Sequence, residues 1–356
     1  MGQNGYLYKV IILCFKREMM QKNYLGIDVS KLTFDVSLVT VLDGQKQPAL
    51  ITQFNNNPAG LEAFKCWLNE KRVSFDKHSL LVMENTGIYH RLIWNFCTTH
   101  LLPVFIGNAA DLKWSFGIAR GKNDKIDSMR LSEYAYKNHE DIKPTTGLNK
   151  ALITLKDLLS NRSKLLKQKN AIKQTLGELK ASNDKGTQQL IEKLNKAAVE
   201  GLAKSIKLIE AELLKLVKQD EAVLANYQRM LTVPGIGKIT AIFIICCTNN
   251  FAIKITGKQL ASYAGVVPFE HRSGTSIKGR TRVHFMANKE LKALLTMGAL
   301  SAIGAYPEFK DYYQRKIKEG KEHLQVLNAI KNKVLLRVAA VINKQKVYEN
   351  KYTIIC

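Results

Sequence analysis

The chain is short of acid. Against 54 lysines and arginines it carries 30 aspartates and glutamates, a formal net charge of +24 over 356 residues. An excess of that size suits a polyanionic partner, because each cation set against a phosphate releases counterions. Nucleic acid is the expected partner, with an anionic membrane surface as the rival. Long hydrophobic runs are also missing. No apolar stretch approaches the roughly 20 residues that a bilayer-spanning helix needs, so no membrane role is expected. Cysteine is sparse: six residues, at 14, 66, 97, 246, 247 and 356, with no Cys-x-x-Cys among them. The adjacent Cys246-Cys247 pair is poorly placed to grip one metal. This usage argues against zinc and against a disulfide scaffold, and it points to a reducing cytoplasm. The opening stretch Tyr6–Phe15, followed by Lys16-Arg17, lacks the basic start and small-residue cleavage site of a signal peptide. Residues 1–20 therefore read as an N-terminal extension, with Met19 or Met20 as an alternative start.

What is present divides into three textures. Hydrophobic residues make up 46% of the chain, enough for a globular protein of two or three units. Residues 21–145 read as mixed α/β. Strands are expected at 24–29, 33–39 and 49–54, with connections too short for anything but antiparallel pairing. Pro58 opens a helix to Leu68. Strands at 79–84 and 102–106, separated by a helix over 89–97, can run parallel, and a helix follows over 124–137. Three antiparallel strands followed by helix-linked parallel ones is the order of an RNase H-like sheet. Residues 146–228 change character. Leu155, Leu158, Leu165, Ile172, Leu176 and Leu179 recur at near-heptad spacing. After the polar break 182–186 the stripe resumes through Ile191, Leu194, Ala198, Leu202, Ile206, Ile209, Leu213 and Leu216. Two long antiparallel coiled-coil helices fit this pattern, whether within one subunit or joining two protomers. Residues 229–356 read as mainly helical, with a loop rich in Gly, Ser, Thr, Lys and Arg near 272–282.

Four acids stand out in this basic chain. Asp28 and Glu84 end two strands that neighbour each other in such a sheet. Asp124 and Asp127 lie three apart at a helix start, on one face. Taken singly, each has an ordinary reading, such as a strand-end acid or a helix-dipole acid. Together they would repel one another unless cations neutralise them. Hard divalent ions with oxygen ligands do this, Mg²⁺ above all, and two of them about 3.5–4 Å apart can clamp a phosphodiester during in-line displacement. The sugar-kinase and actin group shares the Gly-Ile-Asp strand. Here the glycine-rich phosphate loop is missing after Val29-Ser30-Lys31-Leu32, and a coiled-coil stretch stands where a second lobe would be.

Two further segments carry chemistry. Leu231-Thr232-Val233-Pro234-Gly235-Ile236-Gly237 is similar to a helix-hairpin-helix turn, whose backbone N–H groups can face phosphate oxygens without reading bases; an ordinary helix–helix turn would read the same. Ser273-Gly274-Thr275-Ser276 precedes Lys278, Arg280 and Arg282, cations able to stabilise charge developing at a phosphate. A serine hydroxyl needs such help to act as a nucleophile, and neither His271 nor His284 is convincingly placed as its base.

In this order the motifs resemble a known group, the insertion-sequence transposases of the IS110 type, or DEDD/serine transposases. The resemblance rests on Gly26-Ile27-Asp28-Val29-Ser30-Lys31, Glu84-x-Thr86-Gly87-x-Tyr89, Lys122-x-Asp124-Lys125-x-Asp127 and Pro234-Gly235-Ile236-Gly237. It continues through Ala264-Gly265-x-x-Pro268, Ser273-Gly274-Thr275-Ser276 and Gly279-Arg280-x-Arg282. It implies a RuvC-like N-terminal domain holding Mg²⁺ on Asp28, Glu84, Asp124 and Asp127, a coiled coil, and a C-terminal domain whose Ser273, with Ser276 as the alternative, bonds to a DNA 5′ phosphate. It also implies DNA recombination guided by a structured RNA from the element itself, carried out by a homo-oligomer. Lys122, Lys125, Gly235, Gly237, Lys238, Lys278, Arg280 and Arg282 are the expected nucleic-acid contacts. One departure is visible: where many members have Lys-x-Gly-Asn after the basic loop, this chain has Phe285-Met286-Ala287-Asn288. The rival functions are a RuvC-type nuclease or resolvase using water, and a non-catalytic nucleic-acid binder.

Overall fold

The computed structural model describes residues 21–85, 87–116, 124–145, 147, 149–181, 185–273, 277–283 and 287–350. The N-terminal extension, Lys122 and Ser276 lie outside the described residues. The chain divides after Leu148 into two compact units.

The first unit is built on one mixed sheet. Strand β1 (Gln21–Val29) turns back into β2 (Thr33–Leu42) through Ser30, whose Oγ accepts from the Thr33 N–H at 3.1 Å. Three linking residues allow only an antiparallel pair. On its far side β2 pairs with the two-residue β3 (Gln45–Lys46) and with β4 (Leu50–Asn55). Helix α1 (Pro58–Glu70) follows, with Asn57 capping it by accepting from the Gly60 N–H at 2.8 Å. The chain then crosses to β5 (Ser79–Glu84), parallel to β1. Helix α2 (Arg91–Thr99) leads to β6 (Val104–Gly107), parallel to β5. The order is β3-β2-β1-β5-β6, with β4 also on β2.

Period-2 alternation sorts the strand residues onto two faces. Leu25, Ile27, Phe34, Val36, Leu81 and Met83 form one core with Phe64 and Leu68 of α1 and Ile93 and Phe96 of α2. Tyr24, Val39, Leu80 and Val82 form another. The latter packs against Leu112 of α3 (Ala109–Ser115) and Leu131 and Ala135 of α4 (Asp124–Asn138). Helix α4 lies very close to β1. A Cβ on Gly26 would stand 2.1 Å from the Ser132 nitrogen and 2.2 Å from the Ser128 carbonyl oxygen. Beside this seam the buried hydroxyls of Ser37 and Ser132 hydrogen-bond at 2.8 Å. Both obstacles at Gly26 are helix backbone, which cannot swing aside. Gly26→Ala is therefore expected to lower the chemical-denaturation free energy by about 3 kcal/mol, the upper end of overpacking costs; an unchanged midpoint would contradict the seam.

The second unit opens with two long helices, α5 (Lys150–Ala181) and α6 (Lys185–Gln219). Arg162 pairs with Glu210 at 2.7 Å, and Leu155 and Leu159 share a core with Leu213 and Val217, so the two run antiparallel. The heptad stripe is buried at this base and not along its length: Leu194 is 71% exposed. Asp220 then starts a separate helix, α7 (Glu221–Leu231), accepting from the Val223 N–H at 3.0 Å. After α8 (Lys238–Cys247) and α9 (Gly257–Tyr263) comes a two-stranded ribbon, β7 (Pro268–Ser273) with β8 (Ile277–Val283). The basic segment expected as a loop is thus mostly strand, which suits the β-branched Ile277, Thr281 and Val283. Helices α10 (Lys289–Ala305), α11 (Pro307–Lys318) and α12 (His323–Asn343) complete the unit. No described helix is long and apolar enough to cross a membrane.

Candidate active site

The acids of the first unit sit on the α4 side of the sheet. Asp28 follows Ile27, whose parallel partner on β5 is Met83, the residue before Glu84. Asp28 and Glu84 are therefore adjacent at one sheet edge. Alternation puts both on the face that carries Gly26, Leu80 and Val82, beneath α4. The close approach of α4 at Gly26 brings its first turn, with Asp124 and Asp127, to that same edge.

Electrostatics records the convergence. The Asp28 carboxyl is pushed up from 3.8 to about 6, first by burial and then by repulsion from Asp124, Asp127, Glu84 and Asp35. Asp28 thus feels the other three acids predicted from the sequence, and Asp35 besides. They do not close into a cage: among the described residues no group of three or more His, Cys, Asp or Glu side chains is gathered tightly enough to hold a metal ion. Asp127 is also ion-paired with Arg130 at 2.8 Å.

Sequence reasoning missed two residues here. Asp35 is only 3% exposed and stands directly opposite Asp28 across β1 and β2, where Gln53 Nε2 donates to its carboxylate at 3.0 Å. Its signal was available: it stands between the apolar Phe34 and Val36 as the one charged residue of its strand. Asn56 left no such signal. Its Nδ2 donates to the Ser30 carbonyl at 3.0 Å and to the Tyr89 carbonyl at 3.1 Å, linking the loops that follow the two acid-bearing strands.

In the second unit, the Pro234-Gly235-Ile236-Gly237 segment is a tight turn between α7 and α8. Gly235 has φ +86°, and a Cβ on Gly298 of α10 would lie 2.0 Å from the Gly235 carbonyl oxygen. Gly237 precedes α8 with extended backbone and no side-chain cap, and Lys238 is exposed. Ser273 is the last residue of β7, in register with Ile277, and Lys278, Arg280 and Arg282 alternate along β8. Asn288, the residue kept where the chain departs from Lys-x-Gly-Asn, caps α10 by accepting from the Leu291 N–H at 2.9 Å. Its Nδ2 donates to the Tyr263 hydroxyl at 2.9 Å.

Two family models match this architecture in order: the IS110 DEDD transposase domain over residues 25–181 and the transposase IS116/IS110/IS902 family over residues 227–314. Together they span about two-thirds of the sequence. The chain belongs to the IS110-type transposases. Relatives extend the likeness over nearly the whole length. The pilin gene-inverting protein of Moraxella lacunata is 27% identical over 93% of this chain and 99% of its own. That of Moraxella bovis is 26% identical over the same shares. The 43.6 kDa protein of insertion element IS110 from Streptomyces coelicolor is 28% identical over 43% of this chain and 38% of its own. As an IS110-type transposase the chain is a DNA-recombining enzyme, and DEDD transposases as a class use divalent metal.

Proposed function

We propose that this transposase cuts and rejoins DNA, with Asp28, Glu84, Asp124 and Asp127 holding Mg²⁺ and Ser273 holding the broken strand. The observation that carries the metal half is the convergence of Asp124, Asp127, Glu84 and Asp35 on Asp28, whose proton affinity is raised first by burial and then by their repulsion. An all-oxygen, multiply charged donor set fits a hard divalent ion. When bound, such ions polarise the scissile phosphate and offset charge on the departing oxygen. Arg130 steadies Asp127, and Asn56 fixes the loops that follow Asp28 and Glu84. The strand order β3-β2-β1-β5-β6 supports a RuvC-like, RNase H-type domain over residues 21–145. The pairing of α5 with α6 supports a coiled-coil region over 146–228, whose exposed outer stripe suits a homo-oligomer. Residues 229–356 are then the serine-bearing domain.

In the proposed chemistry the Ser273 oxygen attacks a phosphodiester, forming a phosphoserine bond to the 5′ phosphate as the bond to the 3′ oxygen breaks. The 3′ oxygen leaves with a proton as a free hydroxyl, and a second 3′ hydroxyl later reverses the step. Lys278, Arg280 and Arg282 offset charge at that phosphate. Lys122, Lys125, Gly235, Gly237 and Lys238 bind the nucleic-acid backbone. The net charge of +24 suits a structured guide RNA as well as DNA. The Moraxella relatives are named as gene-inverting proteins, which supports rejoining of DNA as well as cutting. Element-end DNA, supplied with RNA transcribed from the element's non-coding end, is expected to yield recombinant junctions in Mg²⁺, none in EDTA, and junctions again on adding Mg²⁺ back. Recombination that persists in EDTA would sink the metal half.

A further inference from the structure

Helix α12 carries two cations toward the helical core of the second unit and treats them differently. Arg337 is compensated. It pairs with Glu308 and lies over the rings of Phe309 and Tyr348, at 4.8 and 4.9 Å from their centres. Lys331 is not compensated in this way. It is 4% exposed, and among the described residues its ammonium has one hydrogen-bonding partner, Asn328 Oδ1 at 3.1 Å, and no ion pair. Leu327, Ile330, Val334 and Leu335 around it on the helix are all buried and apolar. The charge that acts on it is a second cation, Lys292 of α10, and burial together with Lys292 holds the Lys331 amine below the usual lysine range.

A buried ammonium whose partners are one amide oxygen and a like charge is a costly arrangement for a stable core. It becomes favourable once an anion arrives. Lys331 keeps two N–H donors beyond its bond to Asn328, Asn328 retains its amide N–H₂, and the charge of Lys292 on α10 is near enough to act on the same ammonium. Lys292 and Asn328 are half-buried, so solvent reaches both of them beside the buried ammonium. We infer that Lys331, Lys292 and Asn328 form a phosphate-binding recess that takes one backbone phosphodiester of the nucleic acid on which the transposase acts. A phosphodiester offers two anionic oxygens to two ammonium groups, and the charge excess of the chain favours a polyanion over the carboxylate of an acidic protein. The recess rests on the reading of the chain as a nucleic-acid enzyme, and it is independent of the acid cluster and of Ser273.

The test is the salt dependence of element-end DNA binding by the full chain, compared with Lys331→Met and Lys292→Gln. Loss of one phosphate contact is expected to make the slope of log K against log salt shallower by about 0.9, in Lys331→Met and in Lys292→Gln alike, with affinity falling equally on unrelated sequences. Wild-type slopes in both lysine variants, with helical circular dichroism intact, overturn the recess. Should Lys331→Met fail to fold, Lys292→Gln at its half-buried position decides alone. Polyglutamate binding lost in the lysine variants while their DNA slopes stay unchanged also overturns it and assigns the recess to an acidic protein. Failure of the wild-type chain to bind DNA would instead sink the functional reading on which the recess rests.

Discussion

Asp28→Asn and Glu84→Gln are each expected to lower strand cleavage by on the order of 10³-fold, the scale of losing one preorganised charge partner at a reacting phosphate, while DNA binding stays within about twofold. The two side chains sit side by side at one sheet edge, and both replacements preserve shape while removing charge. Binding should survive because the phosphate backbone is gripped by the lysines and arginines of the chain, not by its acids. Asp28→Asn carries a second, opposite effect. The wild-type carboxyl keeps its proton to about pH 6 in the folded chain against 3.8 ordinarily. Ionising it therefore erodes stability as pH rises from about 4 through about 6, and the loss persists above that window. Without metal, Asp28→Asn should be the more stable protein at pH 7, by about 1 kcal/mol once solvent screening of a half-buried group is allowed for. The difference should vanish below pH 4. A variant that loses activity and stability together at pH 7 would point to misfolding instead of a lost ligand.

Ser273→Ala is expected to abolish the covalent protein–DNA adduct and to reduce recombination by on the order of 10⁴-fold or more, since a nucleophile has no substitute within its own step. The adduct is read on a denaturing gel with end-labelled DNA. Ser276→Ala should retain it. Persistence of the adduct in Ser273→Ala with loss in Ser276→Ala would transfer the role three residues along. Cleavage by the wild-type chain with no adduct at all would place the protein among metal-dependent nucleases that use water.

Much of the first unit's fold was legible in the sequence because the signals are local. The strand-end acids announce themselves after apolar runs, and the polar break at 182–186 separates two helices that end and begin at Ala181 and Lys185. Other features depend on contacts distant along the chain. Asn56 reaches residues 26 and 33 positions away, and no pattern in one strand predicts that. The tight seam at Gly26 needs small residues on both β1 and α4, and only folding brings them together. The basic stretch near 272–282 reads as a loop by composition, yet Ile277, Thr281 and Val283 carry enough strand preference to form β8. Lys331 hides in an apolar–basic helix pattern, where a lysine is ordinarily a solvent-facing one. The heptad stripe overstated burial, because it runs on past the base of the hairpin to exposed positions such as Leu194.

The central claim, that the four acids form a divalent-metal site, is tested most directly by thermal unfolding of the full chain across a Mg²⁺ titration, in wild type and Asp28→Asn at pH 7. Binding at one hundred times the dissociation constant adds about 2.7 kcal/mol, a rise of several degrees in the unfolding temperature. The wild type should show that rise and Asp28→Asn should not. A wild type indifferent to Mg²⁺, or a variant that responds equally, would contradict the account.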